Sequence, residues 1–188
     1  MLHIRLLRST SPRMVSWKGG VALLVLLFGI AAYLFLNRPQ PSPAQAAFVP
    51  CDLLNTVYVK VEGRSGAVTM ERTDVRAEWQ LLSPGPEPGD HGRITTLISA
   101  LNSIRVLNTL QNGGSTTAEG LAQPREVVSC RTAAGASYTL SVGNRSFDGS
   151  GYYAQRGGDQ RIYVISSVEV DEFDRVLAQP PVKSTPSP

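Results

Sequence analysis

The sequence predicts an α+β fold: a small antiparallel sheet built from hairpins, with two helices packed on one face, preceded by an N-terminal transmembrane helix. Three observations point there. Residues 19–36 run for eighteen residues without a charge. As a helix they reach about 27 Å, roughly the thickness of a bilayer's hydrocarbon core. Beyond residue 50, short stretches of alternating β-branched residues are separated by turn residues. Two further segments repeat apolar residues at helical spacing.

The apolar run sets the expected topology. Arg5, Arg8, Arg13 and Lys18 precede it with no acidic residue among them, and only Arg38 follows closely. Lys and Arg are enriched on cytoplasmic flanks, so residues 1–18 are expected inside and everything after Leu36 outside. The expected location is the cell membrane, crossed once, with the lipid bilayer as the first partner. A cleaved signal peptide is the alternative, because Ala44-Gln45-Ala46 before Ala47 has a small-x-small pattern. Against cleavage, the run exceeds a signal core of about 7–15 residues. Residues 37–50 hold four prolines and read as a spacer, reaching about 40 Å if extended like polyproline. Residues 180–188 read as a frayed tail, and 51–179 as the outer domain.

Within that domain, Val57, Val59 and Val61 alternate with Tyr58 and Lys60, the period of a half-buried strand. Gly63 to Gly66 turns the chain. Val68, Met70 and Arg72 continue as a second strand, and 77–82, with Trp79, as a third. The proline-rich segment 83–89 is expected to end the ladder. Asp90 is placed to cap a helix in which Ile94, Leu97, Ile98 and Leu101 share one face. Residues 105–110 read as another strand.

The second half is β-rich. Strands are expected over 126–132 and 137–142, and again over 152–156 and 161–165, each pair joined by a four-residue loop. Ser166 and Glu169 have the spacing of a capping box. Glu169, Asp171 and Glu172 suit the positive end of the helix that follows. Phe173, Val176 and Leu177 form its apolar face, and Pro180-Pro181 stops it.

Charge and histidine content exclude several function classes. From Asp52 onward fifteen acidic residues face thirteen Lys and Arg, a net of −2. The overall +3 is therefore a topology signal, and no nucleic-acid partner is expected. The two histidines are His3, in the tail, and His91, beside a helix start. No second histidine is available outside for a metal site, and no cofactor is expected. A Ser-His-Asp or Cys-His arrangement would need His91, which has no supporting motif, so a hydrolase is the least favoured reading and no catalytic residue is assigned. Gly149-Ser150-Gly151 and Gly113-Gly114 lack the Lys of a phosphate loop and read as turns. The pairs Asp171/Glu172 and Glu169/Asp174 read as solvated helix residues.

Cys51 and Cys130 both fall on the expected outer side. An oxidising compartment permits a disulfide between them, and two separate thiols with Cys130 buried in a strand is the other reading. Tyr138, Tyr152, Tyr153 and Tyr163 lie on neighbouring expected strands. Alternation sends Tyr152 and Tyr153 to opposite faces. Tyr138, Tyr152 and Tyr163 would form an aromatic interaction patch if they share an outer face.

One further pattern is carried by the order of short motifs. Ala77-Glu78-Trp79-Gln80-Leu81 is followed by the proline-rich turn and the helix opened by Asp90. Then come Gly120-Leu121-Ala122-Gln123-Pro124, Tyr138-Thr139-Leu140-Ser141-Val142-Gly143, Tyr152-Tyr153-Ala154 and Ile162-Tyr163-Val164. This order resembles the bacterial domain-of-unknown-function family 4340, over roughly residues 55–178. The resemblance implies a membrane-tethered extracytoplasmic domain. It also implies an association, for some relatives, with gliding-motility-type ABC transporters, and it brings no catalytic residues. Many relatives carry more than one copy of the unit, whereas this chain has one.

Three functional expectations follow. The first is a non-catalytic, membrane-anchored accessory or scaffold protein that binds other proteins of a membrane complex. The second is an envelope module or sensor for a small ligand such as a glycan or peptide. The third, from the resemblance, is an auxiliary component of a gliding-motility-type transporter.

Overall fold

The computed structural model describes Leu27, residues 47–110 and residues 114–184. The basic tail, the expected membrane span apart from Leu27, the spacer as far as residue 46 and residues 185–188 lie outside the described residues. No helix of the described residues is long and apolar enough to cross a membrane.

Among the described residues nine strands form one antiparallel sheet. They are β1 (Thr56–Gly63), β2 (Gly66–Glu71), β3 (Gln80–Ser83), β4 (Glu87–Pro88), β5 (Val106–Thr109), β6 (Glu126–Thr132), β7 (Ser137–Arg145), β8 (Gly151–Arg156) and β9 (Tyr163–Ser166). Their order is β4-β3-β2-β1-β6-β7-β8-β9-β5. Helices α1 (His91–Asn102) and α2 (Ser167–Ala178) complete the domain. The α+β architecture expected from the hairpin pattern is the one the chain adopts.

Period-two alternation builds one buried face. Val59 and Val61 oppose Met70 and Val68 on one side, and Cys130 and Val128 on the other. Val128 opposes Leu140, and Val142 opposes Ala154. Ile94, Leu97, Ile98 and Leu101 of α1 join this cluster, as do Val170, Phe173 and Val176 of α2. Both helices therefore cover the same side of the sheet. Each such side chain contributes about 1.5–3 kcal/mol on burial, before the entropy of ordering is subtracted. Arg93 of α1 donates to the carbonyls of Pro180 and Gln179, fastening α1 to the end of α2.

The other face divides into two. Where β7 leaves the core, the loop over 115–122 crosses close to the backbone. A Cβ at Gly143 would come within 2.2 Å of the Glu119 carbonyl oxygen, so only glycine fits there. On β1, β2 and β6, the side chains of Tyr58, Lys60, Thr69, Glu71, Ser129 and Arg131 stay partly or fully exposed.

Several local expectations need correction. Trp79 is not in a strand. Asp74 Oδ1 accepts from the backbone N–H groups of Arg76 and Ala77, folding 73–77 into a turn before β3 begins at Gln80. Trp79 is buried instead, with the Arg72 guanidinium 4.6 Å from its ring. The proline-rich segment does not stop the ladder: Glu87 and Pro88 pair with Leu81 and Gln80 as a two-residue outer strand. Proline is tolerated there because an edge strand has one side without a partner.

The β8–β9 connection is six residues, not four, because Asp159 accepts from the Arg161 backbone and guanidinium and holds that residue out of the ladder. The capping box is half formed. Ser166 Oγ accepts from Val168 N–H, but the Ser166 N–H goes to the Arg105 carbonyl instead of to Glu169.

Both ends of the domain are longer than expected. Phe48 and Val49, assigned above to the spacer, belong to the fold. Val49 is buried, and Phe48 meets Tyr163 edge-on at 4.8 Å with Arg156 over its ring. At the other end, Val182 bridges to Gly89, and Lys183 N–H donates to the Pro88 carbonyl, so residues 181–183 are paired.

Cys51 and Cys130 are joined by a disulfide, with Cα atoms 6.5 Å apart across 79 residues of sequence. It ties the segment entering β1 to the neighbouring strand β6. Loop-closure entropy makes this a substantial constraint, with about 4 kcal/mol as an upper figure. Replacing both cysteines with serine is expected to lower the unfolding free energy by about 2–4 kcal/mol. Denaturant unfolding of the oxidised protein beside the double variant measures it, and equal midpoints would show that the bridge contributes nothing.

Candidate functional site

The chemistry-bearing cluster of the domain lies where β6 begins. Glu126 opens β6 in phase with Val128 and Cys130, so alternation drives its carboxyl to the covered face. Only 2% of the residue remains exposed. Asp174, on α2 one residue after the buried Phe173, arrives over the same spot. Arg125 holds the two acids together. Its Nη2 donates to both carboxylate oxygens of Asp174 at 2.7 Å, and its Nε donates to Glu126 Oε1 at 3.2 Å. The guanidinium stacks 4.9 Å from the centre of the Tyr152 ring.

The electrostatics of this group follow from its burial. Desolvation pushes the Glu126 carboxyl up to about 8, and the Asp174 carboxylate beside it pushes in the same direction against the pull of Arg125. Glu126 therefore holds a proton at neutral pH. Its Oε2 is buried and has no hydrogen-bond partner. A neutral carboxyl beside a carboxylate has the form of an acid–base pair. Because Oε2 is cut off from solvent, the pair as it stands secures α2 to β6.

A cavity of about 630 Å³ opens beside this cluster. Arg125, Glu126, Asp174 and Tyr152 form its inner wall, and Arg64 of the β1–β2 turn and Arg145 at the end of β7 also stand in its lining. A second cavity, of about 520 Å³, lies at the start of α1 between Trp79, Asp90, His91 and Lys183.

The residues singled out from sequence fall as follows. His91 is exposed in the first turn of α1, at the rim of the second cavity. Gly149-Ser150-Gly151 lies at the β7–β8 connection, where Asp148 accepts from Ser146 Oγ and Ser150. Gly113 lies outside the described residues. Among the described residues no three His, Cys, Asp or Glu side chains converge to hold a metal ion.

The three tyrosines do not form an outer patch. Tyr138 opposes Cys130 and Tyr152 opposes Ile165, so both point to the helix-covered face and pack against the core. Tyr163 is buried, its hydroxyl donating to Asp159 at 2.6 Å. Of the four, Tyr153 alone is directed to the opposite face, because it alternates with Tyr152. The helix carboxylates are also not all solvated. Glu169 and Glu172 are buried, Asp171 is exposed, and Asp174 belongs to the Arg125 cluster.

Sequence comparison places this geometry in a family. Residues 79–179, more than half of the chain, match the family described as Domain of unknown function (DUF4340), in a single copy. The chain belongs to this family. The match begins at Trp79 and takes in α1, the Glu126–Asp174 cluster and α2, while β1, β2 and Cys51 lie before it. No curated protein and no solved structure matches the chain.

The raised Glu126 carboxyl yields a pH dependence with a definite sign. The unfolded chain loses this proton near 4.5, whereas the folded domain keeps it to about 8. The stabilisation is full below pH 4.5 and is lost as the pH rises to about 8, with a slope of at most about 1.4 kcal/mol per pH unit. Glu126→Gln keeps a donor toward Asp174 and an acceptor for Arg125 but has no proton to lose. Unfolding free energies at several pH values are expected to fall across this window for the native chain relative to the Gln variant. Parallel curves would show that Glu126 titrates normally.

Proposed function

We propose that this chain is a non-catalytic, single-pass membrane protein with a cytoplasmic N-terminus, whose extracytoplasmic domain binds other proteins of a membrane complex. The observation that carries the proposal is the uncharged run at 19–36, preceded by four basic residues and no acidic one. A disulfide suits the oxidising side of a membrane. The side chains left exposed on β1, β2 and β6 offer a broad polar surface with Tyr58 within it, and tyrosine is enriched at interfaces. A role as auxiliary component of a gliding-motility-type ABC transporter is the narrower form of this reading, and rests on family resemblance.

A second reading is favoured by the cavity beside Arg125. Its volume, about 630 Å³, lies within the range of small-molecule sites, and its polar groups converge from four elements of the fold. On this reading the domain is an envelope binding module or sensor for a small glycan or peptide.

Two experiments test the first reading. Protease added to intact spheroplasts is expected to digest the domain or clip the spacer, leaving a short membrane fragment. Complete protection of Trp79 and everything after it would invert the topology, and release of a soluble domain beginning at Ala47 without protease would favour a cleaved signal peptide. Tagged full-length protein, purified from native membranes in mild detergent, is expected to bring a membrane-protein partner. Arg at both Thr69 and Ser129, which flank Lys60 on the exposed face, is expected to strip that partner away. A lone monomer under several mild conditions would refute the docking role.

A further inference from the structure

The cavity at the start of β6 holds an imbalance of charge that the fold does not resolve. Arg125 is bonded to Asp174 through Nη2 and to Glu126 through Nε. Arg64 and Arg145 line the same cavity, yet neither has a carboxylate within ion-pair distance among the described residues. Arg145 is steadied by one bond to the Gly149 carbonyl. Glu126, held by Arg125 and covered by α2, cannot swing out to neutralise either arginine. Asp174 is spoken for by Arg125. Arg125 and Asp174 are thus paired with each other, while Arg64 of the β1–β2 turn and Arg145 at the end of β7 line a polar space without a carboxylate partner.

We infer that this cavity binds a small organic carboxylate, as a peptide C-terminus or an acidic sugar would supply it. A guanidinium presents paired donors that match a carboxylate's two oxygens, and such charge-assisted bonds are about twice as strong as neutral ones. Tyr152 and Asn144, also in the lining, can meet the uncharged part of such a ligand. A carboxyl that keeps its proton on the inner wall adds no negative charge against the incoming anion. The charged and titratable groups around that carboxyl are Arg125 just before its own strand, Asp174 on α2, Arg64 of the β1–β2 turn and Arg145 at the end of β7, with Tyr152 beneath Arg125. The inference deepens the small-ligand reading above and rests on it.

Calorimetric titration of the full-length chain in detergent micelles tests it, with four probes. N-acetyl-alanyl-alanine and its C-terminal amide represent the peptide source. Glucuronic acid and glucose represent the sugar source. One acid is expected to bind with a dissociation constant of about 1 mM or tighter, and its neutral counterpart about tenfold or more weakly. Which acid binds identifies the source.

Arg64→Ala with Arg145→Ala is expected to weaken that acid by about tenfold or more. Arg76→Ala, in the exposed turn before β3 and outside this cavity's lining, leaves it unchanged. Both cavity arginines are exposed, so the double variant should retain the native thermal transition. If it does not, Arg64→Ala alone serves, with a smaller loss expected. A neutral probe that binds as well as its acid overturns the carboxylate inference while keeping the small-ligand reading. Undiminished binding by the arginine variants overturns the assignment to this cavity. No heat with any probe counts against both.

Discussion

The pairing of β1 with β6 is the constraint on which the rest of the domain depends. These strands lie side by side in the middle of the sheet, although more than sixty residues separate them along the chain. On the β1 side the sheet is laid down outward through β2, β3 and β4. On the β6 side it continues through β7, β8 and β9 and ends on β5, which precedes β6 in the chain. The register at the seam puts Val59 and Val61 opposite Cys130 and Val128. A slip of one residue would turn each half's apolar set away from the helices. The disulfide stands at the start of this seam, and the Glu126 cluster at its far end.

Much of this was legible in the sequence, for a definite reason. Where one face of an element is buried and the other wet, periodicity reports it directly. Thus α1 appears in the spacing of Ile94, Leu97, Ile98 and Leu101, and all four are completely buried. The strand over 126–132 was read residue for residue. What failed was local geometry set by side-chain bonds to the backbone. Nothing in the alternation of 77–82 signals that Asp74 folds the preceding residues into a turn, or that Asp159 holds Arg161 out of β9.

The candidate site was legible in part and passed over. Glu126 is in phase with Val128 and Cys130, and an acid in step with a buried face is an anomaly that asks for a partner. The partner comes from α2, nearly fifty residues later, and its side chain is one of four acids within six residues. Helix-dipole reasoning treats those four alike. Tertiary contact separates them, burying Glu169 and Glu172, leaving Asp171 in solvent, and drawing Asp174 to Arg125. The tyrosines failed differently. Adjacent strands were correctly expected, but pairing with Cys130 and Ile165 places Tyr138 and Tyr152 on the covered face.

The way the chain enters the domain has a mechanical side. Phe48 is gripped between Tyr163 and Arg156, on β9 and β8, and three residues later Cys51 is bonded covalently to β6. A pull on the segment before residue 47 would first load an aromatic contact on one half of the sheet, and then a covalent bond to its central strand. Strand β1, which follows directly in sequence, would be bypassed. Tension would be shared across β6 and its neighbours and would not unzip β1 from its end. A domain hung from its first residues is thereby suspended from its middle.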